Sequence, residues 1–345
     1  MGNSGNPRIA VLLPCFNEEA AIGETVKGFR EALPGAIVYV YDNNSTDRTR
    51  EVAAKAGAIV RTELQQGKGH VVRRMFADVD ADVYLMADGD LTYDPSAAPE
   101  MVRLLLDDQL DMVVGTRRHE AKDAYRGGHV LGNKLFTGLL SGLFGRSFTD
   151  IFSGYRVFSR RFVKSFPVLS SGFEIETEIS VHALELRMPV GEVETRYLAR
   201  PEGSASKLST FSDGWRILKT IVTLYRVERP ALFYGAIGLA LLLVAILLSI
   251  PLVITYLATG LVPRFPTAIL VTGMTIVAVL CFFAGLILDT VTRGRREVRR
   301  LAYLSLAAPF APSDVEGRPR KRASEKSIPS GAAGGAEGLG TNGEG

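Results

Sequence analysis

Asp82-Val83-Tyr84-Leu85-Met86-Ala87-Asp88-Gly89-Asp90-Leu91-Thr92-Tyr93-Asp94-Pro95 decides the fold. An apolar run with strand character, Asp82–Ala87, stops at two carboxylates separated by one glycine. Asp94-Pro95 then reads as a helix start, with Asp as cap and Pro at the first helical position. The same pattern extends in both directions. Strands are predicted at Arg8–Leu13, Ala36–Tyr41, Ala58–Thr62 and Asp111–Thr116, with helices at Glu18–Ala32, Asp47–Ala56, Gly69–Val79 and Ser96–Asp107. This alternation predicts an α/β fold, a mainly parallel sheet with helices on both faces. In such open sheets ligands bind beyond the carboxyl ends of the strands. The polar clusters fall there: Asn17-Glu18, Asp42-Asn43-Asn44, Asp88-Gly89-Asp90 and Arg117-Arg118. They are expected to form one site on one edge.

The second half has a different composition. Ala231–Leu257 and Thr267–Leu288 carry no charged residue, and each exceeds the roughly 20 residues that cross a bilayer. Two transmembrane helices forming a hairpin are predicted. Basic residues crowd the outer flanks, at Arg216, Lys219, Arg226 and Arg229 before the first run and at Arg293, Arg295, Arg296, Arg299 and Arg300 after the second. The connecting segment holds only Arg264. The positive-inside rule then puts the soluble domain and both termini on the cytoplasmic side of the cell membrane. From the short polar start, Met1–Arg8, no secretory signal peptide is expected ahead of the first strand.

A formal net charge of +3 over 345 residues gives no nucleic-acid signature. Cys15 and Cys281 fall in a soluble strand and an apolar run, so no disulfide is expected between them. Val130–Phe144 and Trp215–Tyr225 show apolar residues at helical spacing. Either is a core-facing helix, or, for the second, an interfacial helix leading into the bilayer. From Ala311 onward the Gly, Ala and Glu run behind the basic Arg318–Arg322 patch is predicted to be disordered.

Carboxylates spaced as Asp88 and Asp90 are can converge on a hard divalent cation that bridges phosphate oxygens; a solvated acidic turn has the same composition. Gly67-Lys68-Gly69-His70 opens a helix and either presents backbone N–H groups to a phosphate or simply starts the helix. No Gly-x-x-x-x-Gly-Lys-Ser/Thr pattern surrounds it. Glu174, Glu176 and Glu178 either position a substrate or solvate a helix start. His119, His129 and His182 lack metal-ligand spacing.

Taken in order, Ile9–Glu18, Tyr41–Thr49, Asp88–Pro95, Gly115-Thr116-Arg117, Asp150-Ile151-Phe152-Ser153-Gly154-Tyr155-Arg156 and Gly203–Leu208 resemble the motifs of family 2 glycosyltransferases of the dolichyl- or polyprenyl-phosphate sugar synthase type. The resemblance implies a GT-A domain over 1–210, an amphipathic interfacial helix over 211–229, a two-helix transmembrane hairpin over 230–291, and a basic juxtamembrane segment with disordered tail over 292–345. It implies that Pro14, Phe16, Glu18 and Asp42 hold the nucleotide base and ribose. Asp88 and Asp90 would meet the ribose-diphosphate and a Mg²⁺ or Mn²⁺ ion. Arg117, Arg200 and Lys207 would surround the donor diphosphate and the acceptor phosphate, with Asp150 on the acceptor side; Asp90, Asp150 and Arg117 would be the catalytic set. Phe16 stands where a tyrosine is common, and Thr92 where a glutamine often helps ligate the metal.

The expected activity is transfer of a hexose from a UDP- or GDP-sugar to a polyprenyl or dolichyl phosphate at the cytoplasmic membrane face, with inversion and metal dependence. Its partners are the nucleotide sugar, the lipid phosphate and the membrane, with no nucleic acid, and a homo-oligomer is compatible with it. A processive polysaccharide synthase should show Gln-x-x-Arg-Trp and more spans. A non-catalytic sugar-nucleotide-binding module would be free to lose Asp88 or Asp90. A glycoside hydrolase needs a carboxylate pair around a sugar bond and has no use for the cations or the anchor.

Overall fold

Strand residues of one parity feed one hydrophobic core, and those of the other parity feed a second. In β1 (Ile9–Cys15), Ala10 and Leu12 face one core while Val11 and Leu13 face the other. Strand β4 (Val83–Met86) splits the same way, Tyr84 and Met86 against Val83 and Leu85. A sheet buried on both faces needs helices on both, as the sequence pattern predicts. The first core is closed by α3 (Lys68–Asp78), α5 (Arg160–Ser165) and α6 (Ile175–Glu185), through Val72, Met75, Phe162 and Ile179. The second is closed by α1 (Ile22–Ala32), α2 (Thr49–Lys55) and α4 (Ala98–Asp107), through Val26, Phe29, Ala53, Met101 and Leu105. This computed structural model describes residues 7–119, 148–172, 174–198 and 225–309, with positions 138, 219, 222 and 223.

Among the described residues the sheet has seven strands in the order β3-β2-β1-β4-β6-β5-β7, with β2 at Ile37–Asp42, β3 at Ile59–Thr62, β5 at Met112–His119, β6 at Arg156–Ser159 and β7 at Val190–Tyr197. All neighbours are parallel except β6, which runs antiparallel to both β4 and β5. The five expected strands form. The sequence reading missed β6 and β7: β6 is four residues long behind a Ser-Gly pair, and β7 carries Glu192, Glu194 and Arg196 on alternate positions as an edge strand does.

Both additions shape the functional edge. Pairing with β7 from Met112↔Val190 to His119↔Tyr197 carries β5 past Thr116, so Arg117 and Arg118 lie inside a strand and not after it. Because β6 is reversed, the loop entering it, Asp150–Tyr155, reaches the edge where the parallel strands end. Asp94 caps the expected helix start, its Oδ1 accepting from Ser96 N at 2.9 Å, although the first turn, Pro95–Ala97, is a 3₁₀ turn.

Two helices long and apolar enough to cross a membrane follow, α7 (Pro230–Thr259) and α8 (Phe265–Leu304). Their Leu, Ile, Val and Phe side chains are largely exposed, reaching 78 % at Leu257, an apolar surface that suits lipid and not water. Small residues let the two approach. A Cβ on Gly238 would sit 2.9 Å from the Ala278 carbonyl oxygen, and one on Gly285 3.3 Å from the Ala231 Cα. Helix α8 runs on past the apolar stretch, and its basic end docks on the soluble domain. Arg296 and Arg299 pair with Glu185 at 3.0 and 2.6 Å, Arg296 also meets Glu228 at 2.7 Å, and the Tyr303 hydroxyl donates to Asp111 at 2.8 Å. Asp111 precedes β5 and also binds Arg161, so this docking lies at the sheet edge opposite the carboxyl ends of the parallel strands. Cys15 and Cys281 are both free.

Candidate active site

The floor of the site is a seam between the loops after β1 and β2. Asn17 and Asn44 take positive φ, 52° and 63°, a conformation that asparagine tolerates better than most residues. Asn17 N donates to Ser45 Oγ at 2.8 Å and Thr46 N to Asn17 Oδ1 at 2.9 Å; Glu18 N donates to Thr49 Oγ1 at 2.9 Å. These bonds place Pro14, Phe16 and Glu18 beside Asp42. Asp42 is fully buried, and its Oδ2 accepts from Ser45 N at 3.1 Å. Its Oδ1 has no partner, an unsatisfied buried acceptor of the kind that awaits a ligand N–H. Asn43 ties the next loop down: its Nδ2 donates to the Glu63 and Gln65 carbonyls, and its Oδ1 accepts from Gly67 N at 2.7 Å.

The acidic pair sits beyond β4. Asp90 is nearly buried, with its Oδ1 taking hydrogen bonds from Thr92 N at 3.2 Å and from the Thr92 hydroxyl at 2.6 Å. Thr92 therefore orients the carboxylate. Leu91 between them takes φ +59°, a strained value for leucine that the turn imposes. Asp88 is one-third exposed. A Cβ on Gly154 would lie 2.9 Å from Asp88 Oδ2, so glycine there leaves room for that carboxylate. Among the described residues no group of three or more Asp, Glu, His or Cys gathers for a metal. Two hard carboxylates nonetheless suit Mg²⁺ or Mn²⁺ when substrate phosphates and water complete the shell.

The segment Gly67–His70, left open by the sequence, carries an unforeseen contact. Lys68 Nζ bridges Asp88 at 2.5 Å and Glu176 at 2.6 Å, with its side chain only 10 % exposed. Burial opposes its charge, but Asp88 and Glu176 outweigh burial and push the ammonium well above its ordinary value. Glycines on either side make this possible: a Cβ on Gly69 would fall 2.0 Å from the Ser170 carbonyl oxygen. Of the carboxylates the sequence could not sort, Glu176 thus faces the site, whereas Glu178 accepts from Leu169 N and Ser170 N and holds a loop.

Arg117 and Asp150 come together from β5 and the loop before β6. Arg117 Nε and Nη2 donate to the two Asp150 carboxylate oxygens at 2.7 and 2.9 Å, and the guanidinium stands 5.5 Å from the centre of the Tyr197 ring. Burial alone would raise the Asp150 carboxyl, but the hydrogen bonds and charge of Arg117 outweigh it and hold it below its usual range. The Asp150 loop is pinned from beneath by Arg156, a fully buried arginine that the sequence showed only as the last residue of a motif. It donates to the Ser153 carbonyl at 2.8 Å, the Ile151 carbonyl at 2.5 Å and Ser180 Oγ at 2.9 Å. Burial lowers its guanidinium to about 10. An arginine opening an otherwise apolar strand is the signal that marks it. Tyr93 completes the wall, its hydroxyl accepting from Gly154 N at 2.8 Å.

The structure therefore gathers Pro14, Phe16, Glu18, Asp42, Asp88, Asp90, Arg117 and Asp150 on one edge. Arg200 and Lys207, the Gly203–Leu208 motif, most of the amphipathic stretches Val130–Phe144 and Trp215–Tyr225 and the tail from Ala311 lie outside the described residues. His182 is buried between Phe162 and Phe166, away from this edge.

Similarity to known proteins identifies the family. The family model for glycosyl transferase family 2 matches residues 10–166, from β1 through α5. Glycosyltransferase AglJ of Haloferax volcanii is 33 % identical over 67 % of this chain and 77 % of its own length. A dolichyl-phosphate hexose transferase of the same organism is 28 % identical over 64 % of this chain and 95 % of its own. Among solved structures, glucosyl-3-phosphoglycerate synthase from Mycobacterium tuberculosis, bound to Mn²⁺, uridine diphosphate and glucosyl-3-phosphoglycerate, shares the fold. Its TM-score is 0.53 at 24 % identity, covering 64 % of this chain and 79 % of that one. With its ordered motifs converging on one sheet edge, the chain belongs to the family 2 glycosyltransferases.

Proposed function

We propose that this glycosyltransferase moves a hexose from a UDP- or GDP-sugar to a polyprenyl or dolichyl phosphate at the cytoplasmic face of a membrane, with inversion and with a divalent metal. The observation that carries the donor half is the unpartnered Asp42 Oδ1, buried beside the β1 loop on the same sheet edge as Asp88 and Asp90. It suits the ring N–H of a nucleotide base, with the diphosphate then running toward the acidic pair. Asp88 and Asp90 would hold Mg²⁺ or Mn²⁺, which supplies charge neutralisation for the leaving diphosphate. The metal-bound structural neighbour supports that assignment by likeness of fold. Arg117, with Arg200 and Lys207, would meet the diphosphate and the acceptor phosphate.

The acceptor half rests on the two apolar helices and on likeness to the dolichyl-phosphate hexose transferase. A phosphate monoester has its second pKa near about 6 and attacks without needing a strong base. Asp150 fits that chemistry. Clamped by Arg117, it is a poor proton acceptor and a good positioner of a cation. Basic residues flanking the two helices support the cytoplasmic orientation.

The test is a donor panel. Purified full-length protein with Mg²⁺ or Mn²⁺ and polyprenyl phosphate is offered radiolabelled UDP-glucose, UDP-galactose, UDP-N-acetylglucosamine and GDP-mannose. Label is expected in the lipid extract with one of them; label confined to water-soluble products with every donor would overturn the acceptor assignment.

A further inference from the structure

A second cationic site lies at the root of the helical hairpin. Between the first turn of α7 and the stretch of α8 that leaves the apolar run there is a cleft of about 230 Å³, whose polar wall is Arg226, Arg295, Tyr234 and Thr292 and whose apolar side includes Pro230 and Leu288. Its depth follows from the chain: Pro230 opens α7, and Leu288 is the last apolar residue before Asp289. On the membrane-spanning reading above, on which this inference rests, the cleft opens where acyl chains give way to headgroups.

The charges in this region are not all balanced. Arg293 pairs with Asp289 at 2.7 Å, and Arg296 and Arg299 are taken up by Glu185 and Glu228. The two arginines on the cleft are not taken up in this way. Among the described residues Arg226 meets no carboxylate, and Arg295 donates to the Thr292 hydroxyl at 3.2 Å, itself tied to the Val227 carbonyl at 3.2 Å. Two uncompensated guanidinium groups facing one cleft, with a tyrosine and an apolar side toward the bilayer, match a phosphate carried on an apolar chain.

The cleft is separate from the catalytic edge. Helix α6 links the two regions, with Glu176 on Lys68 at one end and Glu185 on Arg296 and Arg299 at the other, nine residues or about 14 Å along the axis. We propose that this cleft binds the phosphate of an anionic membrane lipid between Arg226 and Arg295. The bound lipid is a resident of the hairpin and not the phosphate that receives the sugar.

Native mass spectrometry of the full-length protein in detergent tests this, with phosphatidylglycerol as probe and phosphatidylcholine, polyprenyl phosphate and inorganic phosphate as further arms. Wild type should retain phosphatidylglycerol over phosphatidylcholine. Arg226→Gln/Arg295→Gln should lose roughly 30-fold or more of that affinity, two charge-assisted contacts being removed. Arg293→Gln, at similar depth but already paired, should retain it. Competition by polyprenyl phosphate as strong as that of phosphatidylglycerol would make the cleft an acceptor site and overturn the resident-lipid assignment, and equal competition by inorganic phosphate overturns the lipid assignment. Equal retention by the double variant, or equal loss in Arg293→Gln, overturns the site. Carbonate extraction of membranes separates the two failures: a chain released by carbonate refutes the membrane reading itself, and a retained chain without the arginine-dependent lipid refutes only this inference.

Discussion

Lys68→Met removes the cation that two site carboxylates share, and the structure sets the size of the effect. Lys68 and Glu176 are 10 % and 8 % exposed in their side chains, whereas Asp88 is 33 % exposed. The Glu176 half is thus a buried ion pair, and deleting one member of such a pair costs about 3–5 kcal/mol because the other is left charged and desolvated. The Asp88 half is wetter and contributes less, roughly 1 kcal/mol or below. For a soluble domain of this size 1 kcal/mol moves Tm by about 2–4 °C, so Lys68→Met should lower Tm by at least about 6 °C. Lys68→Met/Glu176→Gln should recover a large part of that loss, since no unpaired charge remains, while Lys68→Met/Asp88→Asn should recover little. The assay is a double-mutant cycle of thermal unfolding on the full chain in detergent at pH 7.5. A Lys68→Met protein within about 2 °C of wild type, or additive losses for Lys68 and Glu176, would refute the reasoning.

Asp150→Asn should lower transfer about 10²–10³-fold by freeing the Arg117 guanidinium from its clamp, and Arg117→Lys should not restore the rate, because a point charge cannot reproduce the bidentate fork; steady-state kinetics of each variant decide this. Thr92→Val takes the hydroxyl from Asp90 and should raise the metal concentration for half-maximal transfer by about tenfold, measured by Mn²⁺ titration of activity. Stability should fall on acidification because burial, followed by the charge of Arg299, lowers the His182 imidazole to about 3. With the folded value below the unfolded one, near about 6.5, its contribution is full above pH 6.5 and shrinks by about 1.4 kcal/mol per unit as pH falls toward 3. His182→Gln should flatten the Tm profile between pH 6.5 and 5, and an unchanged slope would count against it.

The legible parts of this molecule are those whose physics is local. Short apolar runs ending at polar clusters marked β1, β2 and β4, and Asp94-Pro95 marked a helix start, because these depend on residues adjacent in sequence. The hairpin was readable from charge-free length alone. What sequence concealed is long-range pairing. Strand β6 exists because β4 and β5 leave a slot between them, and its reversal is what brings Asp150 to Arg117. Lys68 and Glu176 stand far apart in the chain, one at the start of α3 and the other at the start of α6, and neither spacing nor composition joins them. Arg156 looks like a surface residue in sequence and lies wholly inside, satisfied by backbone carbonyls. Docking of the α8 end onto Glu185 and Asp111 was hidden for the same reason, since its arginines read equally well as membrane-flanking charge.

The central claim is that sugar leaves a nucleotide and arrives on a lipid phosphate through the Asp88-Gly89-Asp90 edge. Mass spectrometry of the lipid extract, after incubation of the full chain with Mn²⁺, polyprenyl phosphate and the accepted donor, tests it most directly. The account predicts one new species heavier than polyprenyl phosphate by a single sugar residue, formed by wild type and absent with Asp90→Asn. Absence of that species with wild type for every donor, or its undiminished formation by Asp90→Asn, would contradict it.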